Sequence, residues 1–334
     1  MHAGQRYTFK EMVVWTQGDI YLMVILSTIP VVVHEWLNWN WFTLPWIPIA
    51  MVGTATAFIV GFRNTQTYSR MWEARQIYGA IINTSRSWGM MVKDFIGAGE
   101  SEETKQVKRQ IINRHIAWLT ALRFQLREQR AWETSRTKPS NIRYGRNFTI
   151  AEWAERFEDT VAPYLDKAEL SKILSKKNRA TQLIGLQSAQ LKALKLNGYI
   201  DPLDYVEMEK LLVDLFDQQG RCERIKNFPY PRHFATISQM FTRLFVFLVP
   251  FGVLNEFHKL GDWMIWFSIP FSTTVGWIFL TMERVGENTE NPFEGGANDV
   301  PVTALSRTIE IDLLEMLDAA EIPAPLQPVN KILS

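Results

Sequence analysis

The side chains able to act as nucleophiles, acids, bases or metal ligands are few in this chain, and they lie apart. His2, His34, His115, His233 and His258 fall on different stretches with no HExxH among them, and Cys222 is the single cysteine. One cysteine excludes an intrachain disulfide and a zinc site built on thiolates. There is no GxSxG elbow, no P-loop and no cysteine with an obvious helper base. Glu290, Glu294 and Asp299 form an acidic group near a turn. Their spacing lacks the alternating oxygen ligands and final bidentate Glu of an EF-hand, so capping and turn formation are their expected roles. No catalytic residue, metal site or cofactor is therefore expected. Conduction and scaffolding, which need no reactive side chain, fit the chain better than catalysis does.

The stretch that organises the rest runs from Gly53 to Arg75, GTATAFIVGFRNTQTYSRMWEAR. Its first half is apolar and rich in small residues; at Arg63 it turns polar without a helix breaker. Such a segment leaves a membrane and continues as one rod into the cytosol. Gly53, Ala57 and Gly61 recur every four residues and form one narrow stripe. Small residues at that spacing let a second helix backbone come close, which is how helices associate in lipid. Thr54, Phe58 and Phe62 form a second stripe, about 100° round from the first. On periodicity alone these phenylalanines either line a narrow apolar constriction or face lipid or a helix core.

Composition agrees with a membrane protein that carries a large soluble portion. The net charge is +1, and no basic cluster alternates with exposed aromatics, which argues against nucleic acid as a partner. The mean hydropathy of -0.10 hides an asymmetry: no Lys or Arg occurs between Lys10 and Arg63, while the middle of the chain is full of both. Trp36, Trp39, Trp41, Trp46, Trp263 and Trp266 sit at the edges of apolar runs, where an aromatic belt would lie.

These patterns divide the chain into four parts. Residues 1–63 hold two spanning helices, Ile20 to Val33 with its flanks (entered at Asp19 as N-cap) and Pro45 to Phe62. Residues 64–231 form a cytosolic helical domain. Its expected helices run through Ile111, Ile112, Ile116, Leu119 and Leu122, over roughly residues 165–195 with Gly198 as the stop, and after Asp201-Pro202. Gly97-Ala98-Gly99 reads as a turn and ETSRTKPSNIRYGRNFT as a surface loop. Residues 232–284 hold two more spans, Phe234 to Asn255 and Trp263 to Met282. Residues 285–334 form a cytosolic turn, a helix near Pro301 capped by Asn298 or Asp299, and a Pro-rich tail. Lys and Arg crowd the inner ends of the spans, so both termini are expected in the cytosol of an inner-membrane, multi-pass protein.

Several motifs carry a resemblance. GFRNTQTYSRMWEAR with Asn83-Thr84-Ser85-Arg86 downstream, CERIKNFPYPRHF before the third span, and ENPFEGGANDVPVTALSRTIEIDLL after the fourth occur in that order. Together, over essentially the whole chain, they resemble the bestrophin family, specifically its bacterial members. The resemblance implies an all-α homopentameric ion channel that passes small monovalent ions through one axial pore. It also implies a hydrophobic neck lined by the second spanning helix, at Thr54, Phe58 and Phe62. A large aliphatic residue is usual at the first of these, so Thr54 implies a wider, more easily wetted level. A second, cytosolic aperture is implied at Leu203, with Ile200 or Val206 also allowed by the spacing to Cys222. Animal members carry a calcium clasp after the last span. Here Asn291, Pro292, Phe293 and Asp299 match it, but Gly295, Gly296, Ala297 and Asn298 replace its acidic run. Too few hard oxygen ligands remain, so calcium activation is not expected. The competing expectation is a membrane-anchored scaffold whose helical domain binds a cytosolic partner.

Overall fold

The computed structural model describes residues 1–37, 43–97 and 101–334, and every regular element among them is helical. Trp39 and Trp41 of the expected aromatic belt, and Ala98 and Gly99 of the expected turn, lie outside the described residues. In chain order the helices are α1 (Phe9–Leu37), α2 (Trp46–Phe95), α3 (Glu102–Arg127), α4 (Pro139–Gly145), α5 (Ala151–Ala154) and α6 (Phe157–Val161). They continue with α7 (Lys167–Leu174), α8 (Arg179–Leu196), α9 (Pro202–Asn227), α10 (Arg232–His258), α11 (Ser268–Thr289) and α12 (Val302–Met316).

Four helical segments are long and apolar enough to cross a membrane: α1, α2, α10, and Asp262–Thr289, which opens as a 3-10 turn before α11. The chain is thus a multi-pass membrane protein. Its 50-residue α2 runs unbroken from the membrane into the soluble part, a rod of about 75 Å at 1.5 Å per residue. The upper half of α2 packs on α10 and α11; its lower half packs on α9 and α12.

The soluble part has its own core, in which Tyr78, Ile81 and Trp88 of α2 meet Ile112, Trp118, Leu119 and Leu122 of α3. Leu183 and Leu191 of α8, Leu215 of α9 and Leu313 of α12 complete it. Burying each such side chain contributes about 1.5–3 kcal/mol, which fixes the lower half of α2 in the soluble core.

Local chemistry moved several expected boundaries. α1 begins at Phe9, ten residues before Asp19, because Thr8 and Glu11 form a capping box. The Thr8 amide donates to Glu11 Oε2 at 2.6 Å, and the Glu11 amide donates to Thr8 Oγ1 at 3.2 Å. Asp19 lies inside the helix and accepts from Arg284 Nη2 at 2.7 Å. The single helix expected over 165–195 is two, since Asn178 caps α8 by accepting from the Thr181 amide at 3.0 Å. The expected loop carries the short α4. No side chain caps α12, because Asp299 faces the turn that precedes it. Gly198 does stop α8, at φ +78°, and Asp201 caps α9 through the Leu203 amide at 2.8 Å.

Candidate functional site

Two faces of upper α2 differ sharply. Gly53, Thr56, Val60, Arg63 and Thr67 are buried, forming a stripe that alternates steps of three and four residues. Gly53 admits the Phe245 ring of α10 so closely that a Cβ there would lie 2.5 Å from it. The expected small-residue stripe continues differently within the subunit. Ala57 is exposed, and nothing lies within 4 Å of a Cβ placed at Gly61. The inward stripe follows the 3.6-residue helix period rather than strict fours, so it drifts from Gly53 to Thr56 and Val60.

The opposite face carries Thr54, Phe58 and Phe62, all exposed, with Phe58 at 77% and Phe62 at 49%. Phe62 approaches Phe234 of α10, ring centroids 6.4 Å apart. The Thr54 hydroxyl donates back to the Ala50 carbonyl at 3.0 Å. Its hydrogen is therefore spent on the helix. A row of aromatic rings held on a helix whose other face is locked in place can form a wall, but it is half of an enclosure.

Immediately below Phe62 the helix is clamped by buried charge. Arg63 pairs with Glu283 of α11 through one guanidinium nitrogen and with Glu290 through the other, the latter at 2.8 Å. Ser238 of α10 donates to Glu283 at 2.7 Å, and Arg232 pairs with Glu290 at 3.1 Å. Two turns further down, Arg70 donates to the Glu290 carbonyl at 3.1 Å and to the Phe228 carbonyl at 2.7 Å. Residues 63 and 70 thus tie the rod to α10, α11 and the end of α9. Sequence reading took Arg63 and Glu283 as flanking charges only. They were findable as partners: each is the first charge after its apolar run, on two helices that descend side by side.

Glu290, Glu294 and Asp299 are spent on the protein itself. Glu294 accepts from the Thr134 amide at 2.9 Å. Asp299 accepts from the amides of Phe293, Gly295 and Val300 and pairs with Arg127 at 2.7 Å. Burial pushes the Glu294 carboxyl up to about 8, with the nearby Asp299 and Glu133 charges adding to it.

The two aperture candidates separate. Leu203, in the first turn of α9, is 78% exposed, as is Val206 in part, whereas Ile200 is 3% exposed within the soluble core. Ile200 precedes the Asp201 cap, the position from which an apolar side chain staples itself under a helix start. Its side chain is committed to the core and does not reach an open face.

A family model described as "Bacterial/Fungal Bestrophin protein" matches residues 11–315. A voltage-dependent anion channel-forming protein of Escherichia coli is 28% identical over 297 residues, covering 86% of this chain and 85% of its own length. A voltage-dependent anion channel-forming protein of Mesorhizobium japonicum is 22% identical, over 94% and 88%. Among solved structures, a bacterial bestrophin homolog from Klebsiella pneumoniae superposes with a TM-score of 0.76 at 24% identity, over 91% of this chain and 99% of that one. The matched span takes in all four apolar segments, the Arg63 clamp and the soluble helical core, and the chain belongs to the bestrophin family, among its bacterial and fungal members.

Proposed function

We propose that this protein is a homopentameric channel passing small monovalent ions down their gradients, with Thr54, Phe58 and Phe62 lining a hydrophobic neck. The observation that carries the reading is the pair of exposed phenylalanines on a helix whose opposite face is packed and clamped. Five such helices around an axis would turn each half-enclosure into a closed ring, and an apolar ring conducts or blocks according to whether water fills it. The relatives named as channel-forming proteins support conduction as the activity. Leu203 stands as the cytosolic aperture, both termini lie on the cytosolic side of an inner membrane, and calcium is not needed for opening.

The test is flux from purified protein in liposomes under opposed NaCl gradients, for the wild type and the Phe58→Ala/Phe62→Ala double variant. The wild type should carry current, and its reversal potential assigns the sign of the permeant ion. The double variant should raise flux or change gating while the assembly stays intact. Background flux from correctly assembled wild type would sink the channel reading and favour a membrane-anchored scaffold.

A further inference from the structure

A second region of the soluble part gathers unpaired charge. A cavity of about 220 Å³ opens between the last turns of α3, the start of α6 and residues 176–179, where α7 gives way to α8. It belongs neither to the Phe58–Phe62 face nor to the Arg63 clamp. Its volume falls below the roughly 300–1,000 Å³ of drug-sized sites, so its ligand is compact.

The local sequence sets three cations on this cavity. The Asn178 cap places Arg179 at the first position of α8 and leaves Lys176 and Lys177 in the turn before it. Lys176, Lys177 and Arg179 all line the cavity. None of them has an ion pair or a side-chain hydrogen bond among the described residues. The Arg179 guanidinium lies 4.6 Å from the centre of the buried Phe157 ring, and Phe157 meets Phe124 edge to face at 5.5 Å. Both rings line the cavity, so the guanidinium is held as a plane against an aromatic wall while its N–H groups keep no acceptor.

The acids nearby are already engaged. Glu128 is the one carboxylate in the lining, and Arg130 pairs with it at 3.1 Å. Glu223 does not line the cavity. It accepts from Gln125 at 2.9 Å, from Asn178 at 3.0 Å and from Gln219 at 2.8 Å. Three cations against one carboxylate leave the lining with two positive charges in excess. Like charges gathered on one small cavity repel, and an anion between them removes that repulsion.

We infer that this cavity binds a compact polyvalent phosphate, a diphosphate group held by the Arg179 fork with Lys176 and Lys177. The guanidinium offers N–H donors in a fixed plane to two phosphate oxygens, and the two ammonium groups add mobile point charges. A singly charged anion such as chloride cannot neutralise the excess alone. The diphosphate can come as free pyrophosphate or as the tail of a nucleoside diphosphate, whose nucleoside would stay outside a cavity of this size.

The experiment titrates pyrophosphate and, separately, ADP into full-length protein in nanodiscs, by calorimetry in phosphate-free buffer against empty nanodiscs. Pyrophosphate should saturate one site per chain. ADP of equal affinity would make the nucleotide tail a source, and ADP at least about tenfold weaker would leave free pyrophosphate. Arg179→Gln should weaken binding about tenfold or more, and so should Lys176→Gln/Lys177→Gln. Both lysines are exposed, so the double variant keeps its fold and decides the matter even where loss of the Phe157 stacking unsettles Arg179→Gln. Lys192→Gln/Lys195→Gln removes two exposed charges from the far end of α8, outside the cavity, and should leave the affinity unchanged. An absence of saturation by pyrophosphate would overturn the inference. So would an affinity unchanged in Lys176→Gln/Lys177→Gln, or an equal loss in Lys192→Gln/Lys195→Gln, which would reduce the binding to general surface charge.

Discussion

Arg63 and Glu290 form a 2.8 Å ion pair with both side chains buried, one residue below Phe62 and one residue before the Asn291-Pro292-Phe293 turn. The pair joins the helix that carries the aromatic row to the segment that seats the soluble domain. Removing the guanidinium leaves Glu283 and Glu290 buried, with Ser238 and Arg232 as the side chains among the described residues that answer them. Breaking a buried pair by taking one partner costs about 3–5 kcal/mol. Arg63→Met should therefore lower the unfolding free energy by that order, measured by denaturant titration in detergent. Arg63→Lys should recover only part, since an ammonium cannot span two carboxylates as a fork does. A loss below about 1 kcal/mol for Arg63→Met would mean that the clamp does not hold the helix.

The four spans, the continuous rod of α2 and the exposed face bearing Thr54, Phe58 and Phe62 were legible because apolar runs, missing breakers and a 3.6-residue period are local properties. The Arg63 clamp left only a faint trace, two first charges after apolar runs, because its partners lie 220 and 227 residues away and packing alone brings them together. The contact line within the subunit follows the helix period for a related reason. Counting every four residues selects Gly53, Ala57 and Gly61, but the real period carries the contact line through Thr56 and Val60. Thr8-Phe9-Lys10-Glu11 shows the opposite case: a capping box written in four adjacent residues was passed over for Asp19, whose true partner, Arg284, is remote.

Glu294 gives stability a definite pH dependence. Its carboxyl is raised from 4.5 to about 8 in the folded protein, so between those values the folded chain holds a proton that the unfolded chain has released. Unfolding then releases that proton, and stability falls as pH rises, by up to about 1.4 kcal/mol per pH unit. Above about 8 this contribution levels off. Glu294→Gln keeps an acceptor for the Thr134 amide and should flatten the decline, with its gain over wild type growing up to about pH 8 and largest above it. Parallel pH profiles for the two proteins, from thermal unfolding between pH 5 and 9, would show that Glu294 is ionised throughout.

Gly53 and Gly61 should respond differently to the same change. A methyl at Gly53 meets the Phe245 ring at 2.5 Å, and overpacking of this kind costs about 1–3 kcal/mol. At Gly61 a methyl meets nothing within the subunit, and alanine gains about 0.5–1 kcal/mol of helix preference. Gly53→Ala should thus unfold more readily than Gly61→Ala by more than about 1 kcal/mol. Equal stabilities would mean that α10 does not seat on α2 through Gly53.

Leu203 and Ile200 lie three residues apart and should separate conduction from stability. Ile200 is packed in the soluble core, so Ile200→Ala should cost about 2–5 kcal/mol and change flux only as far as it lowers the amount of folded protein. Leu203 stands 78% exposed at the start of α9, where trimming it removes little packing. Leu203→Ala should leave the unfolding midpoint within about 0.5 kcal/mol of wild type and change the current per channel. The direction follows from the aperture: a smaller side chain widens an apolar ring and eases its wetting, so conductance should rise. Single-channel recording beside thermal unfolding of the same preparations checks both halves. Unchanged conductance in Leu203→Ala would remove that residue from the ion path and leave Val206, the next exposed apolar position on α9, as the residue to change.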